Sequence, residues 1–298
     1  MLELHRAPFS EEQIQLARDF DASVLQARGY HAFNEAVRRD IDLGGSTNAL
    51  LVTNRNVAGY AWHVDTDSGH WEVTLAHVAL VDPDAMYQVG AYAVHAAKEH
   101  GASTVVAWAP GDDELVRAVL TEIGFQSDRV LLQLRVDLPL AANAKWDEAV
   151  TVRRFDPALD TESFLAVNNA AFAGHPEQGG WDDAALHARL AQPWFDPDGF
   201  LVAIEDSKVI GFIWMKLHTR ETVPQPIGEI YAVGVDPAQQ GRGVGRALAL
   251  TGLAWAAAHV DTGMLYVDAA NQPAVKMYQS MGFFEHHRTH ALTLDLPL

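Results

Sequence analysis

Two successive copies of one pattern make up this sequence, and the duplication constrains the fold more than any other feature. Gly124-Phe125 recurs as Gly282-Phe283, 158 positions later, and the Asp-Leu-Pro-Leu that follows each pair recurs at the same spacing. Leu51-Val52 recurs as Leu201-Val202 at a spacing of 150. Short insertions explain a gradual change in spacing, whereas chance similarity would preserve neither order nor spacing. The sequence therefore predicts a duplicated domain.

The two copies are expected to fold as tandem domains over residues 1–140 and 150–298, joined by the polar, alanine-rich stretch Ala141–Glu148. A chain of 298 residues accommodates about two domains of ordinary size. In each copy an opening strand and a helix lead to a hairpin of apolar strands, a third strand, a helix, a strand, a short helix and a closing strand. Antiparallel strands followed by a β-α-β arrangement predict an α/β fold, with a mixed sheet and helices on both faces.

Composition excludes several kinds of protein. The chain lacks cysteine, so it has no disulfide, thiolate zinc site or cysteine nucleophile. Its net charge of −18 argues against a nucleic-acid or anionic-membrane partner. The most apolar helical run, Ala247–Ala258, is shorter than the roughly 20 residues of a membrane span. Neither His175 nor His218 has a second ligand at a metal spacing, so we expect no metal. With no targeting segment and no membrane span visible, we expect a cytoplasmic monomer that acts on a small molecule.

A glycine-rich segment at the start of a helix is the sharpest local motif. Gln240-Gly241-Arg242-Gly243-Val244-Gly245-Arg246 follows a predicted strand, Ile230–Val235, and opens a predicted helix, Arg246–Ala258. Glycines allow a tight turn whose N–H groups point into one hollow, and the helix N-terminus adds partial positive charge. Taken alone, the segment is either a pyrophosphate site supplemented by Arg242 and Arg246 or an ordinary flexible turn.

A second motif favours the pyrophosphate site. Asn271-x-x-Ala274-x-x-x-Tyr278-x-x-x-Gly282-Phe283 follows the predicted strand Met264–Val267, and Pro273 suits the first turn of a helix. Together with Asp236-Pro237 and the glycine loop, this segment resembles the GCN5-related N-acetyltransferase (GNAT) family. The resemblance covers both copies in outline, and its specific motifs are in the second copy only.

The resemblance implies a site for acetyl-CoA, the acetyl donor. In this family the glycine loop binds pyrophosphate, and the preceding strand splays at a bulge so that its exposed amides bind the pantetheine arm. An N–H donor at the thioester carbonyl would stabilise the oxyanion of the transition state. The coenzyme-binding residues implied in this way are Val233, Gly234, Val235, Gln240, Gly241, Arg242, Gly243, Val244, Gly245, Arg246, Asn271, Gln272, Pro273, Ala274, Val275 and Lys276.

The first copy lacks the residues that the resemblance assigns to the coenzyme site. Val81-Asp82-Pro83 is followed by a segment with one glycine and no arginine, in which Asp84 would repel a phosphate. No tyrosine precedes Gly124-Phe125 at the position of Tyr278. We therefore expect the first domain to be non-catalytic and unable to hold acetyl-CoA in the usual way, and to help complete a substrate pocket.

Direct acetyl transfer needs a base for the amine and a proton donor for the departing thiolate. Glu229 precedes the strand that would point at the thioester, so it is the candidate base, directly or through a water. Tyr278 is the candidate acid, because the family commonly places a tyrosine near the coenzyme sulfur. The alternatives are an ordinary strand-end carboxylate for Glu229 and packing beneath the coenzyme for Tyr278.

Two strings are more distinctive than the family motifs. Val167–Trp181 and Trp194–Gly199 resemble a narrower group, the tandem acetyltransferases that acetylate the cysteinyl amine of cysteinyl-glucosaminyl-inositol. The close resemblance covers Val167–Phe284. The substrate contacts that it implies are Glu35, Glu177, Lys216, Glu229 and Tyr266.

The chemistry of these contacts suits such a substrate. Glu177 and Glu229 can attract an ammonium group, while Lys216 and Tyr266 can donate hydrogen bonds to sugar oxygens or a carbonyl. A loop charge, a solvated lysine and a core aromatic side chain are the alternatives for Glu177, Lys216 and Tyr266. His175 and His218 are interpreted as structural or hydrogen-bonding residues rather than metal ligands.

Three functions are compared. The leading hypothesis is direct acetyl transfer from acetyl-CoA to that cysteinyl amine, without a covalent enzyme intermediate. A second is acetylation of another small amine or a peptide N-terminus, and a third is a non-catalytic acyl-CoA-binding module. The intact glycine loop, together with Glu229 and Tyr278, argues against the third.

Overall fold

A computed structural model describes residues 3–28, 31–46, 49–54, 57–65, 70–78, 82–111, 113–174, 178–219 and 225–296. The chain divides into two compact units. The first comprises Met1–Leu131 with His287–Leu298, and the second comprises Leu132–His286. In the described ranges, no helix is both long and apolar enough to cross a membrane.

The first unit is built on a mixed sheet. Its elements are β1 (Glu3–Arg6), α1 (Glu11–Arg28), α2 (Glu35–Asp42), β2 (Leu50–Asn54), β3 (Val57–Asp65), β4 (His70–His77), α3 (Pro83–Glu99), β5 (Thr104–Pro110), α4 (Glu114–Ile123), the start of β6 (Gln126–Asp137) and most of the last strand, β12 (Phe284–Asp295). The strand order is β1-β2-β3-β4-β5-β12. β4 and β5 are parallel, whereas β12 pairs with β5 in the antiparallel sense.

The second unit repeats this plan. Its elements are the rest of β6, β7 (Thr151–Arg154), α5 (Pro157–Ala171), α6 (Asp183–Leu190), β8 (Phe200–Glu205), β9 (Lys208–His218), β10 (Ile227–Val235), α7 (Val244–Ala256), β11 (Thr262–Asp268) and α8 (Gln272–Gln279). The strand order is β6-β11-β10-β9-β8-β7, and β10 and β11 are parallel. The predicted α/β fold with a mixed sheet is confirmed.

The closing strands do not stay with the copies that encode them. The boundaries predicted from the sequence, 1–140 and 150–298, assign each closing strand to its own copy. In the structure the end of β12 belongs to the first unit, and the residues of β6 from Leu132 onward belong to the second. Both closing strands carry alternating apolar residues before the same Asp-Leu-Pro-Leu, so each fits the sheet edge of either copy.

Aromatic packing fixes β9 in the second unit. Phe164 of α5, Phe200 and Trp214 are fully buried. The rings of Phe200 and Trp214 stack with centroids 4.3 Å apart, and Phe164 makes an edge contact with Phe212 at 4.7 Å. Burial of each such side chain contributes about 1.5–3 kcal/mol. The strand that carries Lys216 and His218 is therefore held rigidly against the helix layer.

A tight hairpin sets the register of β8 and β9. Asp206 and Ser207 have φ values of 48° and 63°, as a two-residue turn between twisted strands requires. The turn confirms the predicted hairpin. A register shift between Ala203 and Ile204 follows the turn, and beyond it Leu201 lies opposite Ile213.

Candidate active site

The parallel strands β10 and β11 separate part-way along their length. Gly228–Ile230 pair with Gly263–Leu265, and among the described residues the pairing stops there although the strands continue to Val235 and Asp268. The register between β10 and β9 shifts between Ile230 and Ala232, which marks a β-bulge. The result is an edge of β10 that lacks a ladder partner on the β11 side. Val233-Gly234-Val235, predicted to bind the pantetheine arm, lie in this stretch.

The glycine loop forms an open cradle at the start of α7. Gly241 and Gly243 have φ values of 80° and 82°, which favour glycine, and a Cβ at either position would touch nothing within 4 Å. Gly243 is the N-cap residue, and no side chain caps the helix. In the part of the chain that the structure describes, the N–H groups from Gly241 to Arg246 have no acceptor. Because such groups and the helix dipole attract anions, the cradle fits a pyrophosphate.

The two arginines of the loop are already engaged. Arg242 forms a bidentate ion pair with Glu205, with N···O distances of 2.7 and 2.8 Å, and also donates a hydrogen bond to Gln239. The hydrogen bonds from Arg242 lower the pKa of the Glu205 carboxyl. Arg246 donates to the hydroxyl of Ser280 at 3.2 Å. Arg242 must therefore exchange a carboxylate for a phosphate if it is to contact the coenzyme as predicted.

The predicted base has a histidine partner. Glu229 is 9% exposed and accepts a hydrogen bond of 2.7 Å from Nε2 of His218. Lys216 lies directly opposite Glu229 on β9, so both side chains are on one face of the sheet. Lys216 is also buried, and its ammonium group lies 4.9 Å from the ring centroid of Trp194. A carboxylate, an imidazole and a lysine are thus gathered where the strands separate.

Tyr266 shares this face. Met264 lies opposite Glu229, and Tyr266 is two residues further along β11, so alternation directs it to the same side. Its side chain is 49% exposed. Its hydroxyl accepts a hydrogen bond of 2.8 Å from Nε2 of Gln133. The candidate substrate contacts on β9, β10 and β11 therefore form a polar row across adjacent strands.

The predicted acid, Tyr278, lies on α8. Asn271 caps this helix by accepting a hydrogen bond from the Ala274 N–H, and Pro273 is in its first turn, as predicted. Tyr278 is buried against Phe283 in an edge contact of 5.5 Å. Burial raises the pKa of the Tyr278 phenol, so the hydroxyl keeps its proton at neutral pH. It has no hydrogen-bond partner among the described residues, so it remains able to donate its proton.

Two predicted substrate residues fall outside this description. Glu35 begins α2, but its side chain is not among those described, and Glu177 lies outside the described residues, as does His175. Across the ranges given above, no group of three or more His, Asp or Glu side chains could hold a metal ion.

The first unit has a different arrangement at the matching position. Asp82 caps α3 by accepting a hydrogen bond from the Asp84 N–H, and Pro83 follows immediately as the first helical residue. This helix start is therefore already capped, and it bears a carboxylate rather than an open cradle. At the end of β4, His77 and Asp113 form a buried hydrogen bond of 3.0 Å. That the first unit cannot hold acetyl-CoA in the usual way stays a prediction.

Known proteins are similar to the chain over nearly its whole length. The acetyltransferase (GNAT) family model matches residues 165–283. A mycothiol acetyltransferase from Thermobispora bispora is 36% identical over 290 residues, which covers 95% of each chain. Another from Thermomonospora curvata is 43% identical over 86% of this chain and 84% of its own.

Solved structures share the fold. A GCN5-related N-acetyltransferase from Sphaerobacter thermophilus has a TM-score of 0.76 at 20% identity and covers 99% of this chain and 95% of its own. A tandem GNAT protein from the clavulanic acid biosynthesis pathway has a TM-score of 0.74 at 16% identity, and each chain is covered completely.

The chain belongs to the mycothiol acetyltransferase family. The predicted resemblance to GNAT enzymes and to their narrower tandem group is confirmed, and it extends beyond the second copy. Membership makes the chain an acetyl-CoA-dependent N-acetyltransferase. The alternative of a non-catalytic acyl-CoA-binding module is therefore not retained.

Sequence reasoning misses two polar residues of this face, Gln133 and Arg135, because the sequence assigns β6 to the first copy. The interpretation of His218 as a structural or hydrogen-bonding residue is confirmed, and its partner, Glu229, follows from the register of β9 and β10. The available signal was the polar alternation between the buried Leu132, Leu134 and Val136.

Proposed function

We propose that this chain transfers the acetyl group of acetyl-CoA directly to the cysteinyl amine of cysteinyl-glucosaminyl-inositol, the last step in forming mycothiol. The names of the relatives support the product, and the polar row around Glu229 supports an amine acceptor. The observation on which the proposal chiefly rests is a buried carboxylate, hydrogen-bonded to a histidine, at the point where β10 and β11 separate.

Glu229 acts as the base in this proposal. A carboxylate that is 9% exposed attracts an ammonium group and accepts its proton, which frees the nitrogen lone pair. His218 orients the carboxylate through the 2.7 Å hydrogen bond and offers a path for the proton to solvent. Lys216, held over Trp194, donates to the carbonyl or a hydroxyl of the acceptor.

The rest of the second unit serves the acetyl donor. The cradle from Gly241 to Arg246 holds the pyrophosphate through backbone N–H groups, which explains how an acidic chain binds an anionic coenzyme. The free edge of β10 near Val233–Val235 supplies N–H groups to the thioester oxygen. As the amine nitrogen bonds to the acetyl carbon, these donors stabilise the oxyanion. The carbon–sulfur bond then breaks, and Tyr278 gives its proton to the thiolate. The nitrogen releases its second proton to solvent, and solvent reprotonates the Tyr278 phenolate.

The first unit has a non-catalytic role in this proposal. At the start of its α3, the Asp82 cap takes the place of the open cradle of the second unit. We assign a single acetyl-transfer centre to the chain.

An acceptor panel tests the proposal. Purified chain is given acetyl-CoA with cysteinyl-glucosaminyl-inositol, or with simple amines and a peptide N-terminus, and release of free coenzyme A is followed. We expect kcat/KM for the cysteinyl substrate to exceed that for every other amine by at least about 10²-fold. Comparable turnover across the panel would favour the second hypothesis, an acetyltransferase for other amines.

A variant pair tests the base. Glu229→Gln preserves volume and an acceptor for His218 but cannot take a proton, so we expect kcat/KM to fall by about 10²-fold or more. The acid limb of the pH–rate profile should disappear with it. Glu162→Gln is the matched control, because it makes the same substitution at an exposed carboxylate of α5 in the same unit. An unchanged pH profile in Glu229→Gln would remove this residue from the role.

A further inference from the structure

Three polar side chains on β6 and β11 form a connected group that the proposed reaction leaves unused. Nε2 of Gln133 donates to the Tyr266 hydroxyl at 2.8 Å, and Nε of Arg135 donates to Oε1 of Gln133 at 3.1 Å. Both functional groups of the Gln133 amide are thus engaged, so its orientation is fixed from two sides. We call Gln133, Arg135 and Tyr266 the β6 triad.

Arg135 retains donors that the contacts within the triad do not use. The terminal nitrogens of Arg135 have no hydrogen-bond partner among the described residues. Gln133 and Arg135 are half-buried, and Tyr266 is 49% exposed. A guanidinium carries five N–H donors, of which this arrangement uses one. The triad therefore offers several hydrogen-bond donors at a surface that a ligand can reach.

The backbone holds the triad in place. Leu132, Leu134 and Val136 alternate with the polar residues along β6 and are at most 7% exposed. A slip of one residue would bury Gln133 and Arg135 and expose these apolar side chains, so the register is strongly specified. Rigid donors lose little entropy on binding, as a recognition site requires.

The internal repeat indicates that the triad is not required by the fold. The 158-residue spacing matches Gln133 with Ala291 and Arg135 with Thr293 on β12. The two closing strands keep the same apolar alternation near their ends and the same Asp-Leu-Pro-Leu, yet differ at these positions. The strand that completes the catalytic unit carries an amide and a guanidinium, whereas its counterpart carries a methyl and a hydroxyl.

Distance from Glu229 determines which part of an acceptor reaches the triad. β10, β11 and β6 are consecutive in the sheet, and paired strands lie about 4.8 Å apart. Because β10 and β11 separate beyond Ile230, Gln133 lies at least about 10 Å from the strand of Glu229. An amine linked through its α-carbon and an amide places the first ring atom about 5 Å away. The next ring atoms lie between about 5 and 10 Å, at the triad.

We propose that the β6 triad is a subsite that binds a polyhydroxylated ring of the acceptor, with Gln133 and Arg135 as specificity-determining residues. This inference rests on the proposed function, because it takes Glu229 as the point where the amine binds. Arg135 and Tyr266 contact ring hydroxyls, and Gln133 holds both in position. A small amine that lacks rings would not reach the triad.

The test separates recognition from chemistry. Gln133→Leu, Arg135→Met and the double variant are assayed with cysteinyl-glucosaminyl-inositol and with cysteinamide, which keeps the amine and amide but has no ring. We expect KM for the full acceptor to rise about tenfold in each single variant, with kcat within twofold of the unaltered chain. With cysteinamide, kcat/KM should stay within twofold.

Controls distinguish a subsite from a structural role. Asp137→Asn, an exposed position on the same strand, should leave both substrates unaffected, and Arg135→Lys should restore part of the lost KM. An equal loss with both acceptors would overturn the proposal in favour of general damage to the sheet. A rise in the Kd of acetyl-CoA alone would assign the triad to the donor instead.

Direct binding keeps this test independent of turnover. Glucosaminyl-inositol, which carries the rings but no cysteinyl amine, is titrated into the full chain and into the double variant by calorimetry. We expect Kd to rise about tenfold or more in the double variant. Equal binding to both would refute the subsite even if acetylation proceeds, whereas ring-dependent binding without acetylation would refute only the proposed function.

Discussion

Substituting Gly243 by aspartate should abolish the advantage that the second copy has over the first in binding the coenzyme. Gly243 is the N-cap residue of α7, with a φ of 82° and no capping side chain. An aspartate there would place a carboxylate at the helix start, as Asp82 does at the start of α3. The variant reproduces in the second unit the capped helix start of the first unit.

Two effects determine how much Gly243→Asp weakens coenzyme binding. A carboxylate about 4 Å from a phosphate costs about 1 kcal/mol in bulk water and more at lower dielectric, and the loop is exposed, so the lower value applies. Its oxygen would also occupy an N–H group that otherwise binds the phosphate, and a hydrogen bond to a charged group contributes about 1.5–3 kcal/mol. The sum is about 3 kcal/mol, or roughly a 10²-fold rise in Kd.

Stability should change little in the same variant. A non-glycine residue with positive φ lowers the free energy of unfolding by about 1 kcal/mol, and a helix cap raises it by about the same amount. Nothing lies within 4 Å of a Cβ at Gly243, so no clash adds to this balance. Calorimetric titration with coenzyme A measures Kd, and thermal unfolding checks that the Tm stays within a few degrees.

Two comparisons isolate the contribution of the pyrophosphate to the loss of coenzyme binding in Gly243→Asp. Gly243→Ala imposes the same backbone strain without the charge, and it should raise Kd less than fivefold. S-acetylpantetheine lacks the pyrophosphate, so kcat/KM with this donor should be similar in Gly243→Asp and the unaltered chain. Equal losses with acetyl-CoA and S-acetylpantetheine would refute the assignment of the cradle to the pyrophosphate.

Three further predictions follow from other contacts. Tyr278→Phe should lower kcat by about 10²-fold, measured by release of coenzyme A, while the Kd of acetyl-CoA stays within threefold. Because burial raises the pKa of the Tyr278 phenol, the activity of the unaltered enzyme should not fall through ionisation of Tyr278 between pH 7 and 9. Glu205→Gln should release Arg242 and tighten coenzyme binding severalfold at low salt. Because the pKa of the Glu205 carboxyl is lowered, this carboxylate stays ionised at pH 5, so lowering the pH of the unaltered chain from 8 to 5 should not tighten coenzyme binding in the same way. Asp113→Ala removes the cap of α4 and a partner of the buried His77, so the free energy of unfolding measured in urea titrations should fall by about 2–4 kcal/mol. In Asp113→Asn the free energy of unfolding should fall by less than half of that.

Much of the fold is predictable because the repeat fixes element order. The element order predicted for each copy includes a helix after the opening strand and then a hairpin, and the structure has α1 and the hairpin of β8 and β9 at these places. The glycine loop likewise predicts the uncapped start of α7. These features depend on local backbone preferences, which a sequence displays directly.

The exchange of closing strands depends on something that local sequence does not carry. β6 and β12 share their alternation and their terminal Asp-Leu-Pro-Leu, so a local pattern cannot state which sheet each completes. The same limit hides the β6 triad, because Gln133 meets Tyr266 only after that choice is made. The bond from His218 to Glu229 similarly requires the strand register. The cytoplasmic location, the monomeric state, the lack of a metal and the role of Glu177 stay predictions.

The two copies differ in where an aspartate cap lies relative to the helix that follows it, and the difference bears on both helix stability and the coenzyme site. Asp82 and Asp236 occupy matching positions before a proline, and each accepts a hydrogen bond from the N–H two residues later. In the first unit this cap begins α3 at once, whereas in the second it closes only the short 3-10 turn Pro237–Gln239, and α7 starts at Val244. A helix cap contributes about 0.5–2 kcal/mol, so separating the cap from the helix costs stability. It also leaves a row of N–H groups without acceptors, which is the property that an anion site needs. The first unit has no glycine loop at this place, and there the cap and the helix are joined.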